Sequence, residues 1–413
     1  MENEESRVQE QASETAQPSE HISKEFVIIA ALLVSLTALS IDTMLPALPQ
    51  IAADLGVVES NDRQLVLSIL FLGMAIGQLL YGPISDVTGR RPMVMIGLAL
   101  FIVGSLVVIV STTFYAVLVG RFIQGLGAAG PRTLMVAIIR DRYVGNVMAK
   151  MTSLVMMVFI TVPVLAPIIG QGILTIGSWR LIFWLFAALG LITSLWYWLR
   201  LPETLAPENR KTLSFHTMLG AFREVITHRL SASYTLCISL VFGAFVGYLS
   251  SSQQILQEQY QTGEYFAFYF SALALGIGLA AFVNSKLVMR FSLTNLCRCA
   301  LGFIVIASAG LLVLMAFRDP SLTELMVVFL PIFFCFGLLF GNLNAMAMQP
   351  MGHIAGMAAA VIGFISTGIS LALGYSIGQA YDGTLYPLIL SFLLCFGLAL
   401  IILQWAGRTP QSG

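Results

Sequence analysis

Apolar runs of about 18–25 residues recur along this chain, and each is long enough to cross a hydrocarbon layer of ~30 Å as a helix. No water is available in such a layer. Every backbone N–H and C=O must therefore be satisfied inside the protein, which leaves helices or closed barrels. A barrel needs strands of about ten residues with alternating polarity, whereas these runs are apolar throughout. Charged residues make up only 10% of the chain, against roughly 25% in a soluble domain. The expected fold is an all-α polytopic membrane protein.

About twelve spans can be placed. The first six cover roughly 26–46, 65–83, 93–111, 113–138, 148–172 and 179–199. The second six cover roughly 230–250, 264–286, 295–316, 322–345, 354–378 and 384–406. Between the sets lies the polar stretch from Leu201 to His228, where Pro202 stops the sixth helix. Within it Phe215, Met218, Leu219, Phe222 and Val225 have the spacing of a short amphipathic helix on a membrane surface. Organisation is expected as a disordered tail over 1–25, a six-helix bundle over 26–199, a linker over 200–229, a second bundle over 230–406, and a tail over 407–413. The first tail is Glu-rich and has neither the basic region nor the cleavage site of a signal peptide.

Lys and Arg concentrate on the cytoplasmic side of membrane proteins. With the N-terminus inside, the inner connections and tails carry sixteen basic residues, among them Arg90, Arg91, Arg140, Arg142 and Arg200. The outer connections carry three: Arg63, Arg180 and Arg318. Both termini are accordingly expected in the cytoplasm.

One acid stands deep within a span. Asp42 lies near the end of the first apolar run. A charge in hydrocarbon costs roughly 2.5–3.5 kcal/mol on insertion scales, so it persists where it has a task. Arg121 in the fourth span needs a counter-charge or a wet cavity for the same reason. Counting helical rise from the outer ends puts Asp42 about 6 Å deep and Arg121 about 12 Å deep. Coupling between them, directly or through water, is possible at that spacing. The alternative for Arg121 is a structural hydrogen bond to backbone carbonyls. Gly125, Gly127, Ala128 and Gly130, which follow Arg121 on its helix, read as close-packing positions.

Three further segments mark moving parts. Gly82-Pro83-Ile84-Ser85-Asp86-Val87-Thr88-Gly89-Arg90-Arg91-Pro92 sets an acid and a basic pair among glycines that permit a tight turn. Asp86 can pair with a neighbouring Arg, and the group can latch the two halves on the inside. The matching stretch from Asn284 to Arg290 keeps basic ends but lacks the acid and the glycines. In the fifth span Pro163 and Pro167, four apart, free backbone carbonyls and bend the helix ahead of Gly170.

The stretch from Gly82 to Pro92 resembles the signature loop of the major facilitator superfamily. The run from Arg121 to Gly130 resembles a motif in which that family links the Arg to proton coupling. Pro163 to Gly170 resembles the exporter motif, with Ala166 and Gln171 replacing two of its glycines. Ser40 to Pro49, Arg140-Asp141, Ser178-Trp179-Arg180 and the entry to the eleventh span at Pro350, Gly352 and Gly356 resemble the bicyclomycin and chloramphenicol resistance branch of the drug:proton antiporters. The resemblance covers about residues 26–405. It implies twelve transmembrane helices in two six-helix bundles and residence in the bacterial inner membrane as a multi-pass protein. It also implies proton-coupled export of small amphiphilic compounds, with Asp42 protonated and Arg121 coupled to it. The exporter motif would pack against the second half.

A cavity between the halves should be mostly apolar with a few polar anchors. Candidate linings are Asp42, Gln124, Met156, Met157, Tyr234, Phe242, Phe245, Tyr248, Asn342, Asn344 and Phe364. Helix packing or lipid contact is the alternative use for each. No phosphate-binding loop, nucleophilic triad or metal-ligand cluster is present, so an ion gradient rather than ATP must supply energy, and no cofactor or nucleic acid is expected. Cys237, Cys297, Cys299, Cys335 and Cys395 lie in or beside apolar spans as free thiols. A monomer suffices, since this fold encloses its cavity alone. A dedicated carrier of one metabolite, such as a siderophore, nucleoside or sugar, is the rival reading.

Overall fold

The computed structural model describes residues 23–210 and 215–407. The expected tails over 1–25 and 407–413 lie almost wholly outside the described residues.

Among the described residues the apolar runs form twelve long helices. They are α1 (Lys24–Asp42), α2 (Leu65–Thr88), α3 (Arg90–Val110), α4 (Phe114–Arg142), α5 (Gly145–Ile176) and α6 (Arg180–Arg200), then α7 (Arg229–Gln253), α8 (Phe266–Leu287), α9 (Leu293–Met315), α10 (Leu322–Met348), α11 (Ala355–Gln379) and α12 (Tyr386–Ala406). Hydroxyl caps start several of them. Ser23 accepts from the Phe26 N–H, and Ser321 forms a reciprocal box with Glu324. Among the described residues two short α-helices lie between the long ones: Leu48–Asp54 after α1, and Phe215–Thr227 in the linker. The second is the expected amphipathic helix, with Val225 buried and Leu219 more than half exposed.

Among the described residues ten helical stretches are long and apolar enough to cross a membrane. The longest, Leu322–Gln379, holds both α10 and α11, and α5 adds the shorter apolar segment Thr161–Ile176. Outward faces are apolar as well: on α6, Leu191, Ile192, Leu195 and Trp198 are each at least half exposed. Water does not tolerate a continuous stripe of that kind, and lipid does. This is a multi-pass membrane protein.

Within the first half α4 packs on α2 and α3, α3 on α6, and α1 on α5. Within the second, α7 packs on α11, α12 and α10, α8 on α10, and α9 on α12. The halves meet along two seams, α2 with α11 and α5 with α8. Small residues let the backbones close in. At Gly125 a β-carbon would collide with the Leu70 backbone, and at Gly130 it would come within 2.7 Å of the Tyr81 ring.

The sequence reading placed a loop over 82–92, but the structure has almost none. Helix α2 runs through Pro83 to Thr88 and α3 begins at Arg90, leaving Gly89 alone between them. Gly89 has φ +105°, a conformation that side chains disfavour, so a single residue reverses the chain.

Candidate functional site

Asp42 is the last residue of α1 and is 6% exposed. A helix leaves its final carbonyls without internal partners. In α1 the Leu39 carbonyl accepts from the Thr43 N–H, while the Ser40 carbonyl accepts from Arg121 Nη2 at 2.9 Å. Arg121 also donates from Nε to the Val66 carbonyl at 3.1 Å and from Nη1 to Gln124 Oε1 at 2.6 Å. Gln124 in turn donates to Ser105 Oγ at 2.8 Å. Fully buried, Arg121 thus ties α4 to α1 and α2 and caps the turn that carries Asp42. Among the described residues neither Asp42 nor Arg121 takes part in an ion pair. Arg121 thus makes the backbone hydrogen bonds that its alternative reading expected, and it joins Asp42 through the α1 main chain without a direct salt bridge.

Around Gly89 the charges close on themselves. Arg90 pairs with Asp86 at 2.5 Å and with Asp141 at 3.0 Å, and donates to Ser85 Oγ at 2.6 Å. Arg91 donates to the Trp198 carbonyl at 2.6 Å and lies 4.2 Å over the Trp198 ring. Glu203, the first acid of the linker, accepts from the N–H groups of Arg90 and Arg91 at 2.9 and 3.0 Å, and so caps α3. It also accepts from Thr204 and Leu205, each at 2.9 Å. Partial burial pushes the Glu203 carboxyl up, but these four N–H groups outweigh it and hold it below the ordinary 4.5. Every partner named here belongs to the first half or to the start of the linker. Arg90 is 4% exposed and enclosed by three oxygen-bearing side chains, so it does not reach the second half as the latch reading expected.

A bonded contact between the halves lies at the opposite end of the molecule. Arg63 and Glu258 form a two-pronged pair at 2.7 and 2.8 Å. Asn61 donates to the carbonyls of Gln379 at 3.0 Å and Tyr381 at 2.9 Å, and its own carbonyl accepts from Gln379 at 3.0 Å. Gln254 donates to Asn61 at 2.8 Å, and Gln64 donates to Gln254 at 2.5 Å and to the Gly378 carbonyl at 3.1 Å. The chain there takes a π-helical turn over Gln254–Gln259, which brings Gln254 and Glu258 to the same seam.

The sequence model of one family spans residues 30–378, most of the chain: the Major Facilitator Superfamily. The chain belongs to that superfamily. Its relatives include the bicyclomycin resistance protein homolog of Haemophilus influenzae, 26% identical over 91% of this chain and 94% of that one. Multidrug resistance protein D of Escherichia coli is 28% identical, over 94% and 97%. Among solved structures the D-xylose-proton symporter superposes with a TM-score of 0.73 at 14% identity, covering 94% and 99%, which shows the shared fold. The protein is a major facilitator transporter with a small-molecule substrate and not an enzyme.

In this transporter the remaining expected residues fall in different places. Phe242 and Phe245 stack at 6.2 Å, and both meet Phe340 of α10 edge-on. Phe242 also meets Phe71 of α2 across the halves at 5.9 Å. Tyr248 is fully buried against Phe270 and Phe333. Tyr234 is buried, Phe364 half-buried, Asn344 exposed and Met157 61% exposed. The side chain of Met156 lies outside the described residues. Asn342 spends its amide on Asn284 in a reciprocal pair at 2.8 and 2.9 Å. Gly170 lies directly against the Thr43 carbonyl, one residue beyond Asp42. Between Pro163 and Pro167 the Val164 carbonyl accepts from Ser271 of α8 at 2.6 Å, so this stretch of α5 does pack on the second half. Gly82 faces Ala360 of α11. An open crevice of about 270 Å³ lies at the α2–α11 seam, lined by Leu65, Ser68, Leu72, Gly368 and Tyr375 among others, and holds none of the expected lining residues.

The roles of Glu203, Asn61, Gln64 and Glu258 were not read from the sequence. The polar cluster Asn61-Asp62-Arg63-Gln64 just before the second span, and the Gln-rich stretch just after the seventh, were the available signals.

Proposed function

We propose that this transporter is a proton-coupled antiporter that exports small amphiphilic compounds across the bacterial inner membrane by alternating access. All twelve long helices cross the bilayer as two six-helix bundles, 26–199 and 230–406, joined by the cytoplasmic linker 200–229. The bias of basic residues supports an orientation with both termini and Gly89 in the cytoplasm and the Arg63–Glu258 end outside. A monomer is the working unit.

The carrying observation is the position of Asp42, buried at the end of α1 with Arg121 gripping the same turn. A negative charge there sits at the negative end of the α1 dipole, and proton binding removes it. Gain or loss of that charge changes how the turn is held, and Arg121 passes the change to α2 and α4. A proton from outside and an amphiphile from inside then compete at Asp42, the proton favouring its neutral form and the substrate its charged form, which makes the cycle an exchange. The polar contacts of Asn61, Arg63 and Gln64 hold the outer end shut in the conformation seen. Relatives named for bicyclomycin and multidrug resistance support drug export over uptake.

The test uses everted membrane vesicles energised with a pH gradient. Accumulation of tetraphenylphosphonium, inhibited by the structurally unrelated chloramphenicol, is the expected result. Saturable transport of a single metabolite with no cross-competition would replace this reading with that of a dedicated carrier.

A further inference from the structure

Beyond Asp42 the chain stays inside the protein. After Thr43 and Met44 it winds into a tight turn, Leu45–Ala47, and a seven-residue helix, Leu48–Asp54, with Leu45, Ala47, Leu48 and Ile51 buried. A stub this short cannot hold its shape or its place by itself. Trp179, the residue before α6, holds it. Its main-chain N–H donates to Gln50 Oε1 at 3.0 Å, and its indole Nε1 donates to Asp54 Oδ2 at 2.8 Å. Arg180 pairs with Asp54 at 3.5 Å, lies 4.3 Å over the Trp179 ring, and donates at 3.1 Å to the carbonyl of Ser111, just after α3. Trp179 itself is fully buried, and a buried indole N–H needs a partner, so the stub has one seat.

The seated stub touches each part of the proposed machinery. Only two residues of backbone separate its start from Asp42. Along its flank Leu45–Ala47 packs on α5, where Pro46 comes within 3.2 Å of the place a Gly170 β-carbon would take. Its far part, Leu48–Asp54, packs on the Asp62–Gln64 turn, whose Arg63 and Gln64 bond to Glu258, Gln254 and Gly378 of the second half. Trp179 also meets Phe183 edge-on at 5.9 Å, and the Arg121 guanidinium lies 5.7 Å from the Phe183 ring.

We propose that Trp179 is a positioning residue that makes this stub a rigid spacer, so that movement at the turn of Asp42 reaches the Arg63 and Gln64 contacts between the halves. The inference rests on the proton-coupled reading and deepens it. Coupling between separated sites travels through packed, stiff elements. Here the stub is the covalent and packed link between the acid and the cross-half contacts. An unpinned stub would absorb the movement of α1, and protonation of Asp42 would no longer bear on those contacts.

Trp179→Phe tests it. The variant keeps an aromatic ring beside Phe183 and removes the indole donor. The acceptor left behind, Asp54, has a side chain 44% exposed and takes water instead, so the fold should stand. In hydrogen-exchange mass spectrometry of the purified protein, the peptide covering Leu45–Asp54 should exchange faster in the variant than in wild type. Tetraphenylphosphonium should bind both proteins equally well, while its proton-driven accumulation in everted vesicles falls roughly tenfold in the variant. Unchanged exchange overturns the clamp. Faster exchange with wild-type accumulation overturns the spacer role, and so does a joint loss of binding and accumulation, which marks a structural support alone. A wild type that does not accumulate tetraphenylphosphonium overturns the export reading, and the spacer role with it.

Discussion

Arg121 donates to the main-chain carbonyl of Ser40 at 2.9 Å, so the buried cation of α4 closes the last turn of the helix that ends at Asp42. Acid and base are linked by two residues of backbone. In the proposed cycle this link outlasts changes in the charge of Asp42 that would break a salt bridge, and passes them on as small shifts of the α1 terminus.

Arg121→Lys tests that link. A lysine keeps the charge but lacks the planar fork that reaches Val66, Ser40 and Gln124 together. Losing even one hydrogen bond from a buried charge costs roughly 1.5–3 kcal/mol. The variant should melt several degrees lower in detergent and lose uphill efflux. Wild-type melting and efflux would refute the capping role.

In the proposed orientation, breaking the Arg63–Glu258 contact should favour the outward-open state. Glu258→Gln removes the ion pair with Arg63, which is half-exposed on the Glu258 side, so the effect should be modest at about 0.2–1 kcal/mol, up to a ~5-fold population shift. A cysteine replacing buried Ser68, behind this contact, reports it by its rate of labelling with a membrane-impermeant maleimide. Faster labelling in the Glu258→Gln background is expected, and an unchanged rate counts against the contact as a gate.

Glu203 predicts a pH effect beside Gly89. Its folded value lies below 4.5, so it contributes stability that is fully present above about pH 4.5 and is lost as pH falls through the lower folded value. Glu203→Gln should flatten the acid limb of a melting-temperature profile below about pH 4.5 and lower stability near neutrality. A parallel profile in the variant would show that the four N–H contacts do not favour the charged form.

Gly170→Ala probes the α1–α5 contact. Any β-carbon there meets the Thr43 carbonyl and comes within 3.2 Å of Pro46, both backed by buried structure, so the helices must separate beside Asp42. Transport should fall by roughly tenfold or more, as for misplacement at a functional centre, with the protein still folded by size-exclusion profile. Full activity would show that the contact opens freely.

Much of this was legible beforehand because lipid imposes strict rules. Run length gave the long helices, and Pro202 with the polar stretch after it gave the linker. Asp42 and Arg121 stood out because charge in an apolar run is rare. The connection at Gly89 was misjudged since glycine and proline usually mark loops, yet in a membrane helix the neighbours tolerate Pro83. The latch was expected at the acid and basic pair set among glycines, but Arg90 and Arg91 satisfy themselves locally. Beside the Arg63–Glu258 pair, cross-half contacts come from Asn61, Gln64 and Gln254, whose neutral amides carry no long-range signal in sequence. Asn342 was expected to face substrate, and its partner Asn284 lies on another helix at a spacing that no periodicity reveals.

The most direct measurement is proton movement in liposomes. Wild type and Asp42→Asn are reconstituted with a pH-sensitive dye, a pH gradient is imposed, and lipophilic cations, phenicols and nucleosides are added in turn. The account predicts that several unrelated compounds dissipate the gradient through wild type and that none does so through Asp42→Asn. Equal dissipation by the two proteins would contradict proton coupling at Asp42.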